Sequence, residues 1–439
     1  MKIGAPTGTA AFIVKGKTLH KLLHLRINNS KKELKDLTGQ NERDLQEAFE
    51  EVELVVIDEK SMIGQYMLYM IDRRLRQAKP TRANLPFGGI SIILMGDFAQ
   101  LIPVHDPPLF VEPDEKTKNG QNPCIVAGHL LFKTLFSENT IIFDEVMRQG
   151  KDQTEFKECL DRLANGTFTM EDWNYFRERD LNGPNFTNEE RKNIKSKAIK
   201  VCALNKDTKR HNIERIYALG TPVAPIRSLN KGKGASSANS TEAQGLLQDI
   251  ILARGSQILL TTNLWQEAGL TNGAVGTVMY IIYAKNEAPE KLPIMVICKF
   301  DQYIGPSYLE NEEKCVPIFP IERHWTNKNK EDCMRKMLSL KPGYAISIHS
   351  SQGGTLENVI VNLGKREFAT GLTYVAPSRV KKIQNLYFDP MPNFSRFISM
   401  RKTSIFKQRL LQDKRERASD ARYVAMAREK LNKKNLQDQ

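Results

Sequence analysis

Leu54-Val55-Val56-Ile57-Asp58-Glu59 is a run of four apolar residues, three of them β-branched, leading straight into two carboxylates. A short run that is apolar on both faces reads as a strand buried in a parallel sheet. A buried strand ending in two carboxylates is how nucleotide-hydrolysing ATPases hold magnesium and prepare the attacking water. In that arrangement Asp58 holds Mg²⁺ and Glu59 is the general base. Alone the pattern decides little, because apolar strands that end in acidic turns are common.

The residues around it repeat the theme. Ile90-Ser91-Ile92-Ile93-Leu94-Met95 ends in Gly96-Asp97, Lys200-Val201-Cys202-Ala203-Leu204 ends in Asn205, and Asn358-Val359-Ile360-Val361-Asn362-Leu363 ends in Gly364. Helical stretches such as Tyr66 to Gln77 lie between such runs, and strand and helix in alternation predict an α/β architecture with parallel sheets. Asn230 to Gln244 is polar and rich in Gly and Ser, and reads as a flexible loop or linker. From about Gly255 to Pro320 short apolar runs alternate with Gly turns, which predicts a small β-barrel inserted in a second lobe. Ser395 to Gln439 reads as a charged helix.

The 439 residues suggest about three domains. With 40% apolar and 26% charged residues a sizeable core can form. No uninterrupted apolar run is long enough to span a membrane, and Met1 to Lys17 is too broken by Gly4, Pro6 and Gly8 to act as a secretory signal. The six cysteines form no C-x-x-C pair, which argues against a zinc knuckle and suits a reducing compartment. The net charge of +14 points to a polyanionic partner. Most of it sits in the last 45 residues, where 13 Lys+Arg against 5 Asp+Glu leave +8.

Further stretches carry chemistry. Gly96-Asp97-Phe98-Ala99-Gln100 follows the second strand, where a glutamine can sense a γ-phosphate. Asp144-Glu145-Val146-Met147-Arg148-Gln149 offers an arginine. In Tyr344-Ala345-Ile346-Ser347-Ile348-His349-Ser350-Ser351-Gln352-Gly353, Pro342 before and Gly353 after suit a helix start and stop. Thr373-Tyr374-Val375-Ala376-Pro377-Ser378-Arg379-Val380 offers a second arginine, a candidate finger. With Ala5-Pro6-Thr7-Gly8-Thr9-Ala10-Ala11-Phe12, Gly16-Lys17-Thr18-Leu19-His20, Pro86-Phe87-Gly88-Gly89-Ile90 and Gly269-Leu270-Thr271-Asn272-Gly273-Ala274-Val275-Gly276-Thr277-Val278, the set in this order resembles the PIF-type helicases of superfamily one, relatives of the RecD-like group. The resemblance runs from about Gly4 to Leu386.

The resemblance implies two RecA-like P-loop NTPase lobes, with an SH3-like barrel inserted in the second and a charged C-terminal helix. Residues 1–150 would form the first lobe, 151–254 connecting helices and the start of the second, 255–335 the barrel, 336–394 the rest of the second lobe, and 395–439 the basic tail. It implies an ATP- and Mg²⁺-dependent 5′–3′ DNA helicase. Asp58 and Glu59 would hold metal and water, and Gln100 would sense the γ-phosphate. Arg148 and Arg379 would stabilise the transferring phosphoryl group, and Gln352 would link nucleotide state to DNA grip. Thr7, Thr9, Thr18, His20, His349 and Ser350 would form the DNA track; ordinary caps and turns use the same hydroxyls. Single-stranded DNA and DNA junctions are the implied partners, with the protein a monomer off the membrane. DNA repair, recombination and telomere maintenance are the implied processes, with the nucleus as the place and the mitochondrion as the alternative.

Three departures stand out. No G-x-x-x-x-G-K-[ST] occurs; the sole Gly-Lys-Thr is Gly16-Lys17-Thr18, and the first-glycine position is Ala11. The first strand, P-loop and following helix of the first lobe are therefore expected to be missing. Pro377 stands where relatives carry an apolar residue inside a helix, so a kink before Arg379 is expected. Ser350 stands where relatives often carry lysine. The alternative reading is a non-catalytic remnant of a helicase or helicase-like mobile element that binds single-stranded nucleic acid.

Overall fold

The computed structural model describes residues 1–25, 33–240, 242–265, 267–285, 291–327 and 331–437. Side chains are also not described for Thr9, Phe12 and 430–437. The contacts divide the chain into two compact units, Met1–Arg191 with Ile348–Gln439, and Lys192–Ser347. These divisions do not coincide with the five-segment partition drawn from the sequence.

In the first unit, β1 (Lys2–Ala5), β2 (Lys17–Thr18), β3 (Leu54–Ile57) and β4 (Ser91–Leu94) form a parallel sheet in the order β2-β1-β3-β4. Lys2 lies opposite Val55 and Leu54 opposite Ser91. Val55 and Ile57 are fully buried and join Leu68, Ile71, Leu75, Ile125 and Phe132 in one core. The helix Gln65–Ala78 packs on Pro123–Leu135, where a Cβ on Gly128 would stand 1.8 Å from the Gln65 carbonyl oxygen; only glycine admits that approach. The same unit holds the parallel pair Val359–Asn362 and Leu386–Phe388 and a cluster of buried rings, Phe168, Phe176, Phe388 and Phe397. Its last element is the helix Ser404–Gln437.

The expected charged helix is therefore present, but not as a free basic arm. Phe397 and Phe406 are buried. Arg409 is buried against the Ala164 carbonyl and Asp413, and Arg396 against Glu367. Arg422 donates to the Glu138 carbonyl.

In the second unit, Ile199–Cys202 pairs in parallel with Ala345–Ser347, and the Asn212 side chain bonds both backbone groups of Ala345. The remainder is antiparallel. Cys315–Ile318, Met295–Phe300, Val275–Ile282, Gln257–Leu260 and Leu340–Pro342 form a five-stranded sheet in that order. Ile321–Thr326, Asp332–Met337 and Leu229–Lys231 form a three-stranded one, and Val223–Arg227 pairs with Asp249–Ala253. The antiparallel texture thus begins before Gly255 and continues to Pro342.

Two local readings need correction. Asn230 to Gln244 is not a flexible linker over its described residues. Ala235 and Ala243 are fully buried, and the buried Arg335 guanidinium donates to Asn230 Oδ1 and to the carbonyls of Ala235, Ala238 and Leu246. Nor is Tyr344–Gln352 a single helix. Ala345–Ser347 is a strand, because a parallel partner lies beside it, and only Ile348–Ser351 is helical.

Candidate active site

β3 delivers Asp58 and Glu59 at its C-terminal end, beside the loop that leaves β4. The Lys60 amide donates to the Met95 carbonyl at 2.7 Å, which locks the two strand ends together. Gly96 takes φ +130°, and a Cβ there would come within 2.8 Å of the Lys60 nitrogen. Glu59 itself adopts the left-handed conformation, φ 56° and ψ 52°. A glutamate pays for that region sterically, so the contacts around it must hold it there.

Those contacts come from the far end of the chain. Gln352 Nε2 donates to Glu59 Oε2 at 2.8 Å and to Ser61 Oγ at 3.3 Å. Gly353, at φ +78°, leaves room beside Glu59 Oε1, which a Cβ would approach to 3.3 Å. Burial raises the Glu59 pKa, and the neighbouring Asp58 charge pushes the same way; the Gln352 hydrogen bond, Arg379 and Arg148 oppose it.

The two arginines reach this region from separate segments. Arg148 lies at a bend outside any helix or strand and donates to Thr355 Oγ1 and the Ser378 carbonyl, both at 3.2 Å. Arg379 is almost fully buried and donates to the Val375 carbonyl at 3.0 Å and Ser378 Oγ at 2.8 Å. Burial, then the nearby Arg148 charge, lowers its pKa to about 10, so it keeps its charge near neutrality. The expected kink at Pro377 does not form inside a helix. The helix Leu372–Val375 has already ended, and Pro377 starts the 3₁₀ turn Pro377–Arg379, where its missing N–H costs nothing.

Gln100 lies beside Gly371, the residue before the helix Leu372–Val375. Its carbonyl is 2.5 Å from where a Cβ on Gly371 would stand, and Gly371 takes φ +97°. Its side-chain oxygen is buried without a hydrogen-bond partner among the described residues, as is Oε1 of Gln352. Buried orphan acceptors are costly and fit a polar ligand. No group of three or more His, Cys, Asp or Glu able to hold a metal occurs among the described residues. The donor set is two adjacent carboxylates with hard oxygens, which fits Mg²⁺ shared with substrate phosphates.

Of the track candidates, Thr7 and Thr18 act as helix caps, accepting from Ala10 N at 3.2 Å and Lys21 N at 3.4 Å. Burial lowers the pKa of His20 and of His349, whose ring stacks on Phe368. Ser350 is exposed, and the side chain of Thr9 lies outside the described residues. Gly16 packs beside β1, where a Cβ would stand 2.5 Å from the Ile3 carbonyl oxygen, so Gly16-Lys17-Thr18 is a strand start rather than a phosphate loop. The sequence reading missed Ser61, Thr355 and Lys60, none of which has a distinctive local signal.

The mixed α/β fold with parallel sheets is similar to that of solved Pif1 structures. The Pif1 helicase from Candida albicans aligns with TM-score 0.64 and 22% identity over 90% of this chain and 84% of that one. A Bacteroides Pif1 in complex with ADP-AlF3 and ssDNA aligns with TM-score 0.63 and 22% identity over 89% and 82%. Residues 3–172 match the PIF1-like helicase family. The ATP-dependent DNA helicase PIF1 of Homo sapiens is 28% identical over 394 residues, covering 88% of this chain and 54% of that protein. PIF6 of Trypanosoma brucei brucei is 28% identical over 412 residues, covering 90% and 48%. The chain spans about half the length of these curated relatives, and its residues 3–172 are similar to the PIF1-like helicase family.

Proposed function

We propose that the chain carries the motor core of an ATP-dependent 5′–3′ DNA helicase. The observation that carries this reading is the 2.8 Å bond from Gln352 to Glu59, with Arg148 and Arg379 alongside. A carboxylate made more basic by burial is brought under two cations from remote segments. General bases work best when their pKa lies near the working pH.

In this reading Asp58 holds Mg²⁺, which when bound neutralises charge on the phosphates. Glu59 accepts a proton from the attacking water while Gln352 fixes its orientation. Arg148 and Arg379 stabilise the charge of the transferring phosphoryl group, and Gln100 reports the γ-phosphate. The track Thr7, Thr9, Thr18, His20, His349 and Ser350 contacts DNA phosphates, which positions a strand without reading its sequence. Two RecA-like lobes and an inserted SH3-like barrel are the architecture that goes with this function. Relatives named as DNA helicases, and a Bacteroides structure holding ADP-AlF3 and ssDNA, support the ligand classes. We place the protein in DNA repair, recombination or telomere maintenance, in the nucleus with the mitochondrion as the alternative, acting as a monomer on single strands and junctions. No helix among the described residues is long and apolar enough to cross a membrane.

A second reading has its own observation. No G-x-x-x-x-G-K-[ST] is present, and the orphan oxygens of Gln100 and Gln352 would then face a site with no amide nest or lysine for phosphate. That reading is a single-stranded nucleic-acid binder without a motor. The test measures phosphate release with single-stranded DNA by residues 1–439, beside the same polypeptide preceded by a strand–loop–helix bearing G-x-x-x-x-G-K-[ST]. The expected result is little turnover from the first and DNA-stimulated turnover from the second. No turnover from either, with DNA binding retained, would favour the binder.

A further inference from the structure

Lys60 is the residue after Glu59, yet nothing in the mechanism uses it. It is 8% exposed. Its Nζ lies 3.0 Å from Glu416 Oε1 on the C-terminal helix, a pair whose side chains are only 10% and 12% exposed. The same Nζ lies 4.4 Å from the centre of the Phe98 ring, in the loop that carries Gln100. One ammonium thus joins the carboxylate turn, the glutamine loop and the last helix. The helix is held on both sides of Glu416. Gln412 Nε2 donates to the Ser137 carbonyl at 3.2 Å, Ser419 Oγ to the Glu138 carbonyl at 2.9 Å, and the Ile142 amide to Asp420 Oδ1 at 2.9 Å.

A surface ion pair would say little. This one is desolvated, its cation is shared with an aromatic face, and it adjoins a glutamate held in the left-handed region. We propose that Glu416 is a positioning residue: through Lys60 and Phe98 the C-terminal helix clamps the turn that presents Glu59, so that docking of this helix and the geometry of the hydrolytic turn are coupled. The proposal rests on the reading of Glu59 as the base.

The test is hydrogen exchange on the polypeptide 1–439, comparing the unaltered chain with Glu416→Gln, Lys60→Met and Lys60→Arg. The reporters are the amides of Lys60, Met62 and Ile63, which donate to Met95, Glu59 and Lys60 carbonyls. Glu416→Gln and Lys60→Met should each speed exchange of these amides about tenfold, as expected for a local opening. The helix over 404–428 should keep its protection, and Lys60→Arg should behave like the unaltered chain. Unchanged protection of the turn in both neutralising variants would overturn the proposal. So would equal loosening throughout the first unit, which is what general destabilisation would give. Because no nucleotide is needed, a failure here leaves the hydrolysis reading standing, and a failure of that reading leaves this result intact.

Discussion

The turn Asp58–Glu59 and the helix Ser404–Gln437 differ in where their meaning resides. The turn's chemistry follows from six consecutive residues: an apolar strand, then two carboxylates at its buried end. The helix looks in sequence like a solvated basic tail. Yet Phe406, Arg409, Gln412, Glu416 and Ser419 face the body of the first unit, and its partners lie hundreds of residues away. Local pattern announces a group that meets a small ligand. It does not announce a surface that meets the rest of the same chain, because packing partners are chosen by the fold.

The sharpest way to break the comparison is at the arginines. In the loop-extended polypeptide, Arg379→Ala should lower turnover by about 10³-fold, the lower end for an arginine that stabilises a phosphoryl transition state. Arg148→Ala should act in the same direction. Steady-state phosphate release checks both, and unchanged rates would remove the arginines from the site.

The next test concerns the helix. If its docking is part of the folded core, Phe406→Ala should destabilise the protein by about 3–5 kcal/mol, the range for an aromatic deleted from a core. Denaturant unfolding measures it. A cost near zero would return the helix to the status of a free tail. Deleting the helix outright would be a poor probe of DNA binding, because it would take the buried Phe406 and the Arg409 bond to the Ala164 carbonyl out of the first unit as well as remove charge.

A smaller effect isolates the charge. Lys402, Lys407, Lys414 and Arg415 are exposed. Replacing all four with Gln should weaken single-stranded DNA binding about tenfold at low salt and flatten its salt dependence, through lost counterion release. Equal affinity and equal salt slope would mean that these exposed basic residues have no nucleic-acid role.

How much was legible follows the same division. The strands around Val56 and Ile92 and the stop at Gly353 could be read, because apolar runs and left-handed glycines are local signals. Asn230 to Gln244 was misread because its order is supplied by Arg335, about a hundred residues later. Ala345–Ser347 was misread as helix because its strand partner, Lys200–Cys202, lies far away in sequence. Within the site, Glu59 and Gln352 could each be picked from motifs. Their bond could not, nor could the Lys60–Glu416 pair, whose members are 356 positions apart.

The smallest effect is on stability and pH. Burial raises the folded-state pKa of Glu59 above its ordinary value. Between those two values the folded protein binds more protons than the unfolded chain. The stabilisation is therefore fully present below the ordinary value and is lost as pH rises through the folded one. Glu59→Gln removes this loss. The variant should melt slightly higher than the unaltered protein at pH 7 to 8, with the gap closing toward pH 4. A Tm difference independent of pH would contradict the burial account.

The most direct test of the central claim uses the same substitution in the loop-extended polypeptide, reading phosphate release and ATP affinity side by side. Glu59→Gln keeps the shape and the Gln352 contact but removes the base. Turnover should fall by about 10²–10⁴-fold, as for loss of a general base, while ATP binds with similar affinity. Turnover unchanged, or lost only in proportion to weakened ATP binding, would contradict the role of Glu59.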